Sequence, residues 1–277
     1  MARRVAALLA VAGLAITVPA RAQEVGGADN ALLAGRKSDA WEHGETRAFV
    51  GVNTEVGAPY LRPRAIFGWG KPYYRFIGVD LSAMANATSA AGYGGVRFVI
   101  PHVALRVGGR VVTSFQRTFF EPKDSYGALD LAGTAGDKAR YVTLESELAA
   151  AVPVGPGSLL ALFSAFELER VQGDQRVYEE TLRVVAARRW LLRARLGWVA
   201  TLGREGNATA GVVAEVLDVP GRPALVVRAG IVATFAINAH LEALLTIVPA
   251  ITGPDTIGIA GGDISQIGLR YRWATGP

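Results

Sequence analysis

The chain has 277 residues, 51% of them hydrophobic and 19% charged, with a net charge of +5 and no cysteine. Disulfide frameworks and thiol chemistry are therefore excluded, and beyond the N-terminal region no apolar run approaches the roughly 18 residues of a membrane-crossing helix. The arginines are spread along the chain rather than clustered, which argues against a nucleic-acid partner.

The N-terminus reads MARRVAALLAVAGLAITVPARAQE. Arg3 and Arg4 form a basic start, Val5 to Val18 an apolar core, and Ala20-Arg21-Ala22 a small-x-small cleavage pattern. This predicts a signal peptide over 1–22, removed before Gln23 on export. Residues 23–45 are polar and show no period of two, so they are expected to be a periplasmic lead-in.

From Arg47 onward, short two-faced segments alternate with turn signals. RAFVGVNTEV, YLRPRAIFGW, YYRFIGVDLSAM and GYGGVRFVI come first, followed by the long run VALRVGGRVVTSFQRTFF and a loop over 121–137. KARYVTLESELAAA, SLLALFSAFELERV, RVYEETLRVVAA, WLLRARLGWVATL, TAGVVAEVLDV, ALVVRAGIVATFAI, HLEALLTIVPA and DISQIGLRYRW complete the series. In WLLRARLGWVATL, Leu192, Ala194, Leu196 and Trp198 lie on one side, opposite Arg193, Arg195 and Gly197. Side chains of a strand alternate by 180°, so each segment reads as a strand with two faces. Helix propensity is high over 178–202, but a helix would scatter Arg193 and Arg195 around its circumference instead of collecting them.

Most segments run about 10 to 14 residues, enough to cross a bilayer when tilted. A backbone in hydrocarbon must satisfy its own hydrogen bonds, so strands can cross only as a closed barrel. The expected fold is all-β: a closed antiparallel transmembrane barrel over 46–273, with a tail over 274–277. The thirteen candidate segments must resolve to an even number. Twelve strands are expected if 47–69 form one long strand, and fourteen if another strand hides within 103–131. Trp69, Tyr73, Tyr74, Tyr93, Trp190, Tyr271 and Trp273 near segment ends are read as interfacial girdles.

The last segment carries a pattern of its own. Gln266, Gly268, Tyr271 and Trp273 are spaced as polar, glycine, aromatic, aromatic. This resembles the terminal assembly signal of bacterial outer-membrane β-barrel proteins, except that four residues follow the final aromatic. The resemblance implies insertion in the outer membrane by the barrel assembly machinery and a last strand that closes on the first.

Nothing in the pattern implies catalysis. His43, His102 and His240 lie in the lead-in or beside turns, and no metal-ligand spacing or nucleophile motif accompanies them. No enzyme activity, cofactor or metal is expected, and the partners expected are outer-membrane lipid and small hydrophilic solutes. The lumen is predicted to be lined by Arg97, Arg106, Arg110, Arg193, Arg195, Arg228, Arg270 and Arg272 together with Glu145, Glu147, Glu167, Glu169, Glu179, Glu215 and Glu242. Arginines leaning toward the closing seam and carboxylates toward the middle strands would set a transverse field across a passive, porin-like channel. The rival reading is a structural or interaction barrel whose bore is closed by direct Arg–Glu pairs. A membrane-embedded enzyme is the remote alternative.

Overall fold

A computed structural model of the chain describes residue 41 and residues 43–275 except 59, 134–135, 170, 172–173, 189, 204–205 and 264–266. The expected signal peptide, nearly all of the lead-in, Gln266 and the last two residues of the tail lie outside these described residues.

The alternating segments form β1 (Arg47–Ala58), β2 (Tyr60–Lys71), β3 (Arg75–Asn86), β4 (Ser89–Ile100), β5 (Val103–Thr118), β6 (Lys138–Val154) and β7 (Gly157–Glu169). A short pair follows, β8 (Arg176–Glu179) and β9 (Val184–Ala187), which makes its own two-stranded sheet. The wall resumes with β10 (Trp190–Leu202), β11 (Ala208–Asp218), β12 (Val226–Ala236), β13 (Leu241–Ile247), its short continuation β14 (Ala250–Thr252), and β15 (Ile267–Ala274). A single helical turn, α1 (Ala128–Ala132), sits in the connection between β5 and β6.

Every neighbouring wall pair is antiparallel. The sheet closes where β15 meets β1, in register from Gly51 opposite Ala274 to Ala58 opposite Ile267. Counting β13 and β14 as one interrupted strand, the wall has twelve strands. Twelve was expected, but from the wrong segment. Residues 47–69 divide into β1 and β2, and the surplus segment is RVYEETLRVVAA, which leaves the wall to become the β8–β9 hairpin.

Alternation decides what each face meets. Ile77 is 59% exposed and Val212 60%, whereas Asp80 and Thr143 are fully buried. Exposed Val79, Leu81, Phe98, Leu105, Leu144 and Ile231 belong to one continuous apolar exterior, far larger than a soluble chain presents to water. The buried positions face the bore.

The two ends of the barrel differ. At one end the connections 72–74, 101–102, 155–156, 203–207 and 237–240 are short. At the other, the connections 119–137, 170–189, 219–225 and 248–266 are long. Both ends of the wall, Arg47 and Ala274, lie at the short-turn end, as an even strand number requires.

Two of the expected girdle aromatics point inward instead. Tyr73, at φ 60°, turns its ring into the bore, and its hydroxyl donates to the carbonyls of Val52 at 2.8 Å and Trp273 at 2.9 Å. Trp41 stacks edge-on against it at 5.0 Å, within a cluster containing Phe49, Ile66, Phe76 and Val99. That cluster packs the short-turn end of the bore. Tyr93 also faces inward, with the Arg106 guanidinium 4.0 Å over its ring. Trp69, Trp190, Tyr271 and Trp273 are exposed on the outside.

Candidate functional site

The bore is where the chemistry gathers. Five buried carboxylates on the wall, Asp80, Glu145, Glu215, Glu242 and Glu55, are held by arginines on adjacent strands. Asp80 on β3 lies 3.3 Å from Arg64 of β2 and 2.7 Å from Arg97 of β4. Glu145 on β6 accepts from Arg106 at 3.0 Å and Arg110 at 2.9 Å, both on β5, and from the Thr143 hydroxyl. Glu215 on β11 accepts from Arg193 and Arg195 of β10 and from Arg228 of β12, each at 2.8 Å. Glu242 on β13 pairs with Arg270 and Arg272 of β15, and Glu55 on β1 with Arg62 of β2. Arg195 also reaches Asp263, in the loop before β15.

Glu147 is buried and accepts from the Ser164 hydroxyl at 3.0 Å. A single carboxylate shared by two or three guanidiniums compensates the removal of all these charges from water, which unpaired ions could not sustain. Carboxylate strands and arginine strands are neighbours over most of the wall, although β4 and β5 both carry arginines and β7 carries no inward charge. This corrects the expected field between an arginine side and a carboxylate side, because cross-strand pairing neutralises the charges locally.

Glu167 and Glu169 are not in the bore. In register, Glu145 stands opposite Phe166, while Glu167 stands opposite Leu144, which is 47% exposed on the outer face. The inward face of β7 is Leu160, Leu162, Ser164, Phe166 and Leu168. Glu167 and Glu169 are the outward residues at the long-loop end of β7, where Glu169 meets Arg188 at 3.2 Å. The apolar side of this strand faces inward because something apolar lies against it.

For Phe166 and Leu168 that partner is the β8–β9 hairpin, while Leu160 and Leu162 pack with Ala149, Ala151, Val199, Val213, Val232 and Val248. Val177, Leu182, Val184 and Ala186 pack in one cluster with Ala91, Val112, Tyr141, Phe166, Leu168, Leu191, Leu217 and Val226, wall residues from seven strands. Polar bonds hold the hairpin as well. Arg228 donates to the carbonyls of Leu182 at 2.8 Å and Arg183 at 3.1 Å, and the Tyr141 hydroxyl donates to the Tyr178 carbonyl at 3.4 Å. Arg117 of β5 bonds Glu180 at 2.9 Å and lies over the Tyr178 ring at 4.3 Å. The Thr88 hydroxyl donates to the same Glu180 oxygen at 3.2 Å. Going round the wall, β5 and β12 have four strands between them one way and six the other. A hairpin bonded to both therefore crosses the bore.

Glu179 belongs to this hairpin and not to a wall strand, which corrects its expected position. It accepts the Leu182 N–H and is fully buried. Burial pushes its carboxyl up to about 7, outweighing the lowering by Arg110, while Glu145 and Glu180 add to the rise. The Arg110 Nη1 and Glu179 Oε1 atoms stand 3.9 Å apart, and neither has a hydrogen-bond partner. Glu180 is also raised by burial, against the opposing pull of Arg117.

Above the hairpin the long connections fold together. Phe120, Tyr126, Leu131, Tyr178, Val185 and Ile257 make a small apolar core. Arg222 pairs with Asp255 and donates to the Lys123 carbonyl at 2.7 Å. The Tyr178 hydroxyl donates to the Ala260 carbonyl at 2.6 Å. Cavities open in this region. One of about 300 Å³ is lined by Thr88, Arg117, Leu131 and Ala260, and one of about 210 Å³ by Arg183, Arg228, Asp255 and Gly258.

Asp80, Glu55, Asp263, Arg117 and Glu180 were missed in the sequence. The first two lie on the inward positions of alternating strands and were open to the same pattern argument. Asp263, Glu180 and Arg117 take part only because loops fold back.

No protein-family model and no curated protein matches the chain. Among solved structures, the chain resembles the KdgM porin at 8% identity, covering 82% of this chain and 96% of that one with a TM-score of 0.38. The NanC porin matches at 8% identity over 82% and 97% of the two chains, TM-score 0.37. The translocator domain of the autotransporter NalP from Neisseria meningitidis matches at 14% identity over 86% and 90%, TM-score 0.36. The barrel is established by its strand pairing, and likenesses this distant say nothing of cargo.

Proposed function

We propose that this chain is an outer-membrane barrel that is closed at rest, a structural or interaction barrel presenting folded surface loops, in preference to a permanently open channel. One observation carries the reading: the hairpin bonded to β5 and β12 crosses a bore whose wall charges are already paired. The apolar exterior fits a lipid environment, and by the usual asymmetry of such barrels the long-loop end faces outside the cell and the short turns face the periplasm.

Purified, folded protein in a planar bilayer should give no discrete conductance steps at moderate voltage. Regular steps from the unmodified chain would overturn the closed reading.

A passive path for small hydrophilic solutes remains the second reading, in a gated form. It is favoured by the loose fit between Arg110 and Glu179, whose facing Nη1 and Oε1 atoms stand 3.9 Å apart and make no hydrogen bond. Such a contact holds the hairpin less firmly than the wall holds itself.

A further inference from the structure

The hairpin does more than fill space. It offers arginines of the wall a set of acceptors: the Glu179 carboxylate toward Arg110, the Glu180 carboxylate to Arg117, and the carbonyls of Leu182 and Arg183 to Arg228. The hairpin also brings Arg183, whose charge acts on Glu180, so it is these acceptors and not its net charge that a short acidic chain would reproduce. We propose that the space the hairpin occupies is a binding site for small polycarboxylates, with the hairpin as its built-in competitor, a reading that rests on the closed barrel above.

Two observations point to a ligand beyond the hairpin itself. The first is the mismatch at Arg110, whose Nη1 is buried and lacks a hydrogen-bond partner although a carboxylate is near. The Arg228 Nε is likewise buried without one. A buried guanidinium donor left unsatisfied is costly, so an acceptor placed within hydrogen-bond distance would bind in preference. The second is the cavity of about 210 Å³ that adjoins Arg228 and Arg183 at the hairpin's tip, room that a ligand could enter as the hairpin moves.

The balance of charge favours an anion. With the hairpin removed, Arg110 keeps Glu145, Arg117 loses Glu180, and Arg193, Arg195 and Arg228 are left to share Glu215 and the nearby Asp263, three guanidiniums to two carboxylates. The exposed vestibule is then cationic, with guanidiniums at two nearly opposite points of the wall. A ligand with a single carboxylate reaches one of them. A chain of two or three carboxylates reaches both, which sets the chemical class.

The test uses the full chain with residues 177–186 replaced by a Gly-Ser linker, folded in detergent, and tri-glutamate as the probe in calorimetry. The variant should bind tri-glutamate roughly tenfold or more tightly than the unmodified chain does, and should ignore tri-lysine and tri-alanine. Replacing Arg110 and Arg228 by alanine in that variant should weaken binding by about tenfold or more, since each removes charge-assisted hydrogen bonds. A linker variant that keeps the heat-modifiable gel mobility of a barrel but does not bind, or binds tri-alanine equally, overturns the proposal. If the linker variant fails to fold, the full-length double variant Glu179→Ala, Leu182→Gly takes its place under the same criteria. Conductance by the unmodified chain would sink the closed-barrel reading without altering the binding result, so the two failures are distinguishable.

Discussion

Arg228 ties the barrel wall to the carbonyl of Leu182 at the hairpin's tip, at 2.8 Å, while its other terminal nitrogen holds Glu215 at the same distance. One guanidinium thus serves both the pairing of β11 with β12 and the docking of the hairpin. Arg228→Ala should uncouple these. Glu215 keeps Arg193 and Arg195, so the wall should still close. The hairpin loses two hydrogen bonds from a charged donor, each worth about 1.5–3 kcal/mol. Limited proteolysis of the folded barrel should then cut within 176–187 at least tenfold faster than in the parent chain, with the barrel core intact. Equal cutting rates would show that apolar packing alone holds the hairpin.

The docking should also respond to pH. Glu179 titrates at about 7 in the docked hairpin against 4.5 when exposed, because burial disfavours its charge more than Arg110 restores it. A carboxyl whose value is raised on docking favours the docked state fully below 4.5, and that contribution is lost as the pH rises through 7. Glu180, raised by burial in the same way, adds to the trend, and Glu145 on the facing wall acts in the same direction. Proteolytic access to the hairpin should therefore be greater at pH 8 than at pH 5. The double variant Glu179→Gln, Glu180→Gln should flatten the difference. A parent chain cut equally at both values would remove these carboxyls from any part in holding the hairpin.

Much of this architecture was legible because a strand's alternation is local. Arg193 and Arg195 against Leu192 and Leu196 announce two faces without reference to any other segment. The errors arose where both faces are partly apolar. On β7, Phe166 and Leu168 were assigned to lipid because nothing in the sequence marks a second apolar body inside the bore. RVYEETLRVVAA was read as a wall strand for the same reason: its Val177, Val184 and Ala186 bury against the inner wall, and burial inside a barrel asks for the same residue types as contact with lipid. The ion pairs were partly legible, since charge on alternate positions is visible, but partner choice depends on register. Glu145 pairs with Arg106 and Arg110 rather than with a distant wall because β5 and β6 are joined through a loop whose length does not reveal the offset.

The seam between first and last strands depends on a close approach that only glycine allows. Gly268 of β15 stands opposite Gly57 of β1, and a Cβ at Gly268 would lie 2.1 Å from the Val56 carbonyl oxygen and 2.5 Å from the Gly57 Cα. Gly268→Val therefore forces β15 away from β1, breaking ladder hydrogen bonds where the last strand closes on the first. The variant should lose heat-modifiable mobility even when refolded in vitro from urea. A conservative Gly268→Ala should weaken closure by an amount that lowers the urea midpoint without abolishing folding. A valine variant that refolds like the parent would show that the strands can separate locally at no cost.

Tyr271 and Trp273 pose a different question, because their side chains lie on the outer face and not in the bore. Both are exposed on the outer face of β15, at 46% and 43%, near the short-turn end. A charge at that depth costs a folded barrel only about 0–1 kcal/mol, against about 2–4 kcal/mol at the bilayer centre. Stability therefore predicts that Trp273→Asp and Tyr271→Asp refold in vitro with nearly parental midpoints. The resemblance of the terminal segment to an assembly signal predicts something stronger in cells: a several-fold loss of barrel from the outer membrane and accumulation of unfolded chain in the periplasm. The comparison of the two measurements separates the roles. Parallel losses in vitro and in cells would make these residues mere anchors, and normal assembly in cells would remove the signal reading altogether. Because the seam approach at Gly268 is needed in any setting, Gly268→Val should fail in both assays, whereas the aromatic variants should fail in one.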